Sequence, residues 1–199
     1  MEEGLSEKWD SLYSGQSRPW RGNADLAWTG IPKGSKVLDA GCGNGKCTDS
    51  LLSMGCTVTG VDFSESAIRS CMSRFGERAE FIAYDVRSLP FADGTFDYVL
   101  SQHCIEHIPA DSEHLALSEF KRVLKPDGRL CLQVFATGDF RSEGKTEDVR
   151  NGILYRYHSE ESLRGALKDW MLVSLERVSE TTRFGERRER IRCVASLNQ

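Results

Sequence analysis

The chain has 199 residues, 39% of them hydrophobic and 28% charged, with a formal net charge of −4. That is enough chain for one ordinary hydrophobic core, and the acidic balance argues against a global electrostatic footprint for nucleic acid. Seven cysteines, scattered and never spaced C-x-x-C, argue against a disulfide framework or a metal site and for a reducing, cytoplasmic setting. No apolar run reaches the roughly 18 residues of a membrane span, and the start, M-E-E-G-L-S-E-K, is too acidic for a signal peptide.

Leu5, Trp9, Leu12 and Tyr13 recur at helical spacing between Glu2 and Ser14, and Gly15 closes that helix. A loop, S-R-P-W-R-G-N (17–23), leads to a second short helix expected over 24–31, closed by Gly30 and Pro32. The next stretch, K-V-L-D-A-G-C-G-N-G (36–45), organises the rest. Val37 and Leu38 end a buried strand, Gly41, Gly43 and Gly45 form a turn, and a helix begins at Lys46. Strand, glycine turn and helix make a nucleotide-sized crevice at the carboxyl ends of the strands. Neither a dinucleotide fingerprint nor a phosphate-binding loop fits: Lys46 stands where the third glycine of G-x-G-x-x-G belongs, and residues 46–48 read Lys, Cys, Thr. What remains is D-x-G-x-G-x-G, with Asp39 two places before Gly41. A carboxylate there repels a pyrophosphate and suits a ligand carrying an ammonium and a sulfonium.

A second strand over 56–61 ends on Asp62, 23 residues after Asp39, the right reach for ribose hydroxyls. Phe63 follows it, and Ser64 is placed to cap the next helix. A third strand over 80–84 ends at Asp85 and Val86, another 23 residues along. Strand four, 97–100, runs into S-Q-H-C-I-E-H-I (101–108), where His103, Glu106 and His107 put three titratable groups within five residues. If that octet is helical, the two histidines share a face. Its spacing is not the zinc-binding H-E-x-x-H. Ser112 to Leu124 is an amphipathic helix that stops at a K-P-D-G turn into strand five, 129–135. The long segment 137–152 is expected to be a lid or binding loop. In I-L-Y-R-Y-H (153–158), Tyr155, Tyr157 and His158 either face an acceptor or fill the gap beside the sheet. Ser159 caps a helix to Asp169, and strands over 171–180 and 189–197 join at a turn around Gly185. Five arginines between 183 and 192 form either a basic face for RNA phosphates or a solvated strand face.

The run V-L-D-A-G-C-G-N-G resembles motif I of class I S-adenosylmethionine (SAM) dependent methyltransferases, specifically the type 11 methyltransferase domain. L-P-F-A-D-G-T-F-D-Y-V (89–99) and the K-P-D-G turn resemble the same family. The resemblance implies an α/β, Rossmann-like seven-stranded, mostly parallel sheet with a C-terminal antiparallel hairpin and helices on both faces. It implies SAM as cofactor, S-adenosylhomocysteine (SAH) as product, and a single domain. In that domain 1–34 caps the cofactor, 35–136 binds it, 137–158 is the acceptor loop, and 159–199 is the terminal helix and hairpin. The implied cofactor residues are Arg21 for the methionine carboxylate, Asp39, Gly41, Gly43 and Asn44 around the amine, Asp62 for the ribose, Phe63, Asp85 and Val86 for adenine, and Ser101 beneath the methyl group. Arg18 is a second candidate for the carboxylate, and Trp20 for the wall. His103 and His107 are the candidate catalytic groups. R-P-W, D-x-G-C-G-N-G-K and Y-R-Y-H also resemble tRNA wobble-uridine carboxymethyl methyltransferases. Those enzymes imply tRNA as acceptor and a small zinc-binding activator protein as partner. The chain departs from them in lacking basic character and in reading S-Q-H-C-I-E-H after strand four. The expected function is therefore methyl transfer to an N, O or S nucleophile on a small molecule. The tRNA enzyme is the alternative, and a nucleotide-binding module or NAD enzyme is a third reading disfavoured by the glycine spacing.

Overall fold

A computed structural model describes residues 5–15, 22–182 and 184–197. Arg18, Trp20, Arg21 and Arg183 lie outside the described residues. The chain opens with α1 (Leu5–Gly15) and alternates β1 (Lys36–Ala40), α2 (Lys46–Ser53), β2 (Thr57–Asp62), α3 (Glu65–Phe75), β3 (Glu80–Ala83) and β4 (Phe96–Gln102). Then come α4 (Glu113–Val123), β5 (Leu124–Phe135), a small hairpin of β6 (Glu147–Arg150) and β7 (Ile153–Arg156), α5 (Glu160–Ala166), β8 (Trp170–Thr181) and β9 (Arg187–Leu197). Seven strands form one sheet in the order β3-β2-β1-β4-β5-β9-β8, parallel up to β5 and antiparallel over the last two pairings.

The apolar runs explain this order. β1 buries four of its five residues, as a central strand covered on both faces must. Leu38, Phe96, Phe120, Leu130 and Ile191 fill one core, while Val37, Leu51, Val58 and Leu100 fill another. The order in which strands are added reverses between the parallel neighbours β1 and β4, and a crevice opens outside the carboxyl ends of the strands at that switch point. Asp62 ends β2, Asp85 follows β3, and Asp39 stands one residue before the end of β1. Ser64 caps α3 by accepting from the Ala67 N–H.

Three local expectations are corrected. The expected helix over 24–31 is only a 3-10 turn, Ala27–Thr29. Asp25 accepts from the Ala27 N–H, Thr29 donates to Leu26 O, and Gly30 at φ 62° ends the turn. The 101–108 octet is not a continuous helix, so His103 and His107 do not share a helical face. β4 runs on to Gln102, His103 takes φ 59°, and only Ile105–His107 coils, as a 3-10 turn. The K-P-D-G segment lies inside β5, as an irregularity where the β4 pairing shifts register between Phe96 and Tyr98. Of the two readings of the late arginines, the pairing favours the solvated strand face: Arg190 pairs with Glu180 at 2.8 Å, Arg192 with Asp25 at 3.4 Å, and Arg187 with Glu189, while Arg188 joins none of the described ion pairs.

Candidate active site

The glycine turn is built from backbone. Gly41, Gly43 and Gly45 have φ of 75°, 51° and 75°, values that L side chains rarely adopt. The Gly41 and Cys42 N–H groups both donate to Val61 O, at 2.8 and 2.9 Å, fastening the turn to β2. A Cβ at Gly41 would stand 2.6 Å from both Cβ and Sγ of Cys104, which itself lines the pocket. Gly41→Ala should therefore cost about 1–3 kcal/mol of stability from strain and overpacking. It should also push Cys104 into the ligand space, which chemical denaturation and ligand titration of one variant would read together.

Asp62 has both oxygens engaged at the turn: Oδ2 accepts from the Gly43 N–H and Oδ1 from the Ser64 N–H, each at 2.9 Å. Burial nevertheless lifts its carboxyl to about 6, against the pull of those two N–H groups. Asp39 behaves alike. Burial lifts it to about 6, although Oδ2 accepts a 2.6 Å bond from the Thr48 hydroxyl, and the nearby Asp62 charge adds to the rise. Two buried acids side by side, with no guanidinium or ammonium among the described residues holding either down, make a site that a cation would relieve.

One pocket opens here. Gly41, Asp62, Phe63, Asp85, Val86, His103 and His107 all line it, with Trp9 and Tyr13 of α1 across from them. Asp39, Gly43, Asn44 and Ser101 are buried and are not among its lining residues. Asp39 lies one layer down on Thr48, Tyr13 Oη covers the spot a Gly43 side chain would fill, and the Asn44 carbonyl accepts from Arg74 at 3.3 Å. Asp85 does not stand free: Arg87 grips both its oxygens, Nε to Oδ1 at 3.1 Å and Nη2 to Oδ2 at 2.7 Å. Burial works to raise the Asp85 carboxyl, but Arg87 holds it below its ordinary range.

The two histidines are set up differently. His103 stacks on Phe135 with ring centroids 4.2 Å apart, and its Nδ1 meets Glu106 Oε1 at 2.8 Å. Its Nε2 lies 3.1 Å from Gln133 Nε2. The Arg192 guanidinium donates to Gln133 Oε1 at 2.9 Å, so the amide turns its NH2 towards His103. His103 is thereby a neutral Nδ1–H tautomer with both ring nitrogens taken. His107 donates Nδ1–H to Leu154 O at 2.6 Å, which leaves Nε2 as a lone-pair acceptor. Trp9 and Tyr155 box that ring edge-on, at 4.9 and 4.8 Å. Burial pushes the His107 imidazolium below the usual histidine range, the Glu106 charge only partly opposing it.

The sequence placed Trp9 and Tyr13 on a helical stripe without assigning them to the site, and Glu106 beside the two histidines without a role. Trp9 and Tyr13 are pocket walls, and Glu106 is fully buried between the histidines. The aromatic i, i+4 pair on the N-terminal helix was the available signal.

An open parallel sheet with acids at successive strand ends, a glycine turn and a partly aromatic pocket defines a nucleoside-binding α/β protein. Residues 38–132 match the methyltransferase domain family. The demethylmenaquinone methyltransferase of Staphylococcus aureus is 35% identical over 141 residues, covering 66% of this chain and 57% of that protein. The chain thus spans little more than half the length of the curated relatives it matches. Among solved structures, a SAM-dependent methyltransferase of Methanosarcina mazei superposes with a TM-score of 0.77 at 24% identity, covering 89% of this chain and all of that one (100%). The 1,6-didemethyltoxoflavin N1-methyltransferase of Burkholderia thailandensis, solved with its substrate and SAH, gives 0.70 at 24% identity, covering 100% of this chain and 80% of that one. Residues 38–132 thus carry a methyltransferase-domain match, and the fold is one shared with SAM-dependent methyltransferases.

Proposed function

We propose that this protein transfers the methyl group of SAM to a protonated N, O or S nucleophile of a small molecule, releasing SAH. The observation that carries this reading is one pocket holding both the acids suited to the nucleoside and a neutral imidazole with a free nitrogen. The residues present fit SAM. Asp62 closes β2 at the distance from the glycine turn that ribose hydroxyls need, and Phe63, Val86 and Ile108 offer apolar surface to a base. Arg87 orients Asp85 at the same mouth. The two acids lifted to about 6 favour an ammonium-bearing ligand.

SAM supplies an activated methyl on a sulfonium leaving group. The protein holds the acceptor in line with it and removes the acceptor proton. His107 Nε2 takes that proton, with Leu154 O fixing the tautomer and Trp9, Tyr155 and Phe135 excluding water. α1 acts as the cap over the cofactor, latched by Asp10, which accepts from the Ser64 hydroxyl and the Ser66 N–H at the start of α3. The β6–β7 hairpin within 137–158 forms the acceptor side, because β7 carries Leu154 and Tyr155. Seven free cysteines, five of them buried, suit the cytoplasm. No described helix is long and apolar enough to cross a membrane. The small-molecule reading is preferred to tRNA because three of the four arginines of β9 are paired with Glu180, Glu189 and Asp25.

Calorimetry should find SAM and SAH binding in about the micromolar range, with no binding of NAD; the reverse would overturn the assignment. Incubating the protein with methyl-labelled SAM and a cell extract, with and without ribonuclease, identifies the acceptor class. Label that survives in the low-mass fraction supports the small molecule, and label lost to ribonuclease establishes tRNA in its place.

A further inference from the structure

Glu106 is a buried acid that none of the chemistry above has used. Its side chain is 0% exposed, in the 3-10 turn between the two histidines that line the pocket. Oε1 accepts from His103 Nδ1–H at 2.8 Å and from the Phe135 N–H at 3.3 Å. Oε2 is buried and has no partner among the described residues. Burial works to raise this carboxyl, yet the hydrogen bond from His103 holds it below the ordinary glutamate range.

A buried carboxylate is costly unless a cation faces it. Among the described residues, the guanidinium groups of this region are engaged elsewhere: Arg141 clasps Asp139, Arg156 pairs with Glu113, and Arg192 serves Gln133 and Asp25. His103 is kept neutral by the orientation of Gln133, and burial works against protonation of His107. The negative charge therefore lies behind a wall of two uncharged imidazoles, with the pocket in front of them and little water to screen it.

We propose that Glu106 is the counter-charge for the cation carried by the ligand in this pocket, so that the site favours the sulfonium SAM over the neutral thioether SAH. The inference rests on the reading of the pocket as a SAM site and adds a direction to it. When the methyl group leaves, the sulfur keeps the bonding electron pair and loses its charge. The attraction to Glu106 vanishes at that step, and the product is held less tightly than the substrate was. His103 then has a second task beyond walling the pocket: its Nδ1–H fixes the carboxylate at the right depth, and Gln133 and Arg192 fix His103 in turn.

Calorimetric titration of the wild-type protein and of Glu106→Gln with SAM, SAH and sinefungin, whose ammonium replaces the methylsulfonium, tests this. The wild type should bind both cationic ligands at least about fivefold tighter than SAH, and Glu106→Gln should weaken both about tenfold while SAH stays within about twofold. An unchanged SAM-to-SAH ratio in the variant overturns the proposal, even if turnover falls, because that pattern belongs to a group that only orients His103. Should the variant not fold, the wild type alone decides: SAH binding tighter than SAM and sinefungin overturns it. Failure of all three ligands to bind would instead remove the SAM-site reading on which it stands.

Discussion

Replacing His107 with glutamine should lower kcat by about 10²–10⁴-fold, the usual contribution of a positioned general base, while the Kd for SAM stays within about threefold. Glutamine keeps an N–H for Leu154 O and most of the ring's volume between Trp9 and Tyr155, so packing is largely conserved. What it loses is a basic nitrogen. Because burial depresses the His107 imidazolium, the free base dominates at neutral pH. The acid limb of the kcat profile should therefore fall below the ordinary histidine value of about 6.5. His103→Gln should cost less rate, since both nitrogens of that ring are already committed to Glu106 and Gln133. Stopped-time assays with methyl-labelled SAM across pH would separate the two. Equal losses at both positions, or turnover unchanged by His107→Gln, would move the base elsewhere.

The difference between the two histidines shows where sequence reading stops. Asp62 and Asp85 were legible because their placement is local: each follows a short apolar strand, and strand ends in a parallel sheet share one edge. The glycine turn was legible for the same reason, since tolerance of a positive φ belongs to glycine itself. The tautomer of His103 was not. It depends on Gln133, 30 residues away, whose orientation depends on Arg192, a further 59 along. That chain of donors exists only because β9 pairs antiparallel to β5 with Gln133 opposite Arg192. The break at His103 was hidden too. A helical continuation of the octet fits its spacing, but the His103 N–H donates to Gln133 O at 2.9 Å and prolongs the strand edge instead. Asp39 was placed at the right turn and one layer too shallow. Thr48, the one threonine of α2, draws its carboxylate down beneath the glycines.

That depth gives Asp39→Asn an expected effect of unusual sign. The folded carboxyl is raised from an ordinary value of 3.8 to about 6, so between those values the folded state binds more protons than the unfolded one. Stability must then fall as pH rises through that window, and the full cost is present above about 6. Two pKa units correspond to about 3 kcal/mol. Asparagine cannot ionise, and its Oδ1 still accepts from the Thr48 hydroxyl. The variant should match the wild type near pH 4 and exceed it by up to about 3 kcal/mol near pH 8, as measured by denaturant unfolding at each pH. The same variant should bind SAM more weakly, and wild-type affinity should itself decline as pH drops below about 6 and Asp39 and Asp62 take up protons. A variant less stable than the wild type near pH 8 would mean that the Asp39 charge is already balanced inside the empty protein. A gain in stability paired with a loss of ligand would identify the buried charge as one retained for binding at the expense of the fold.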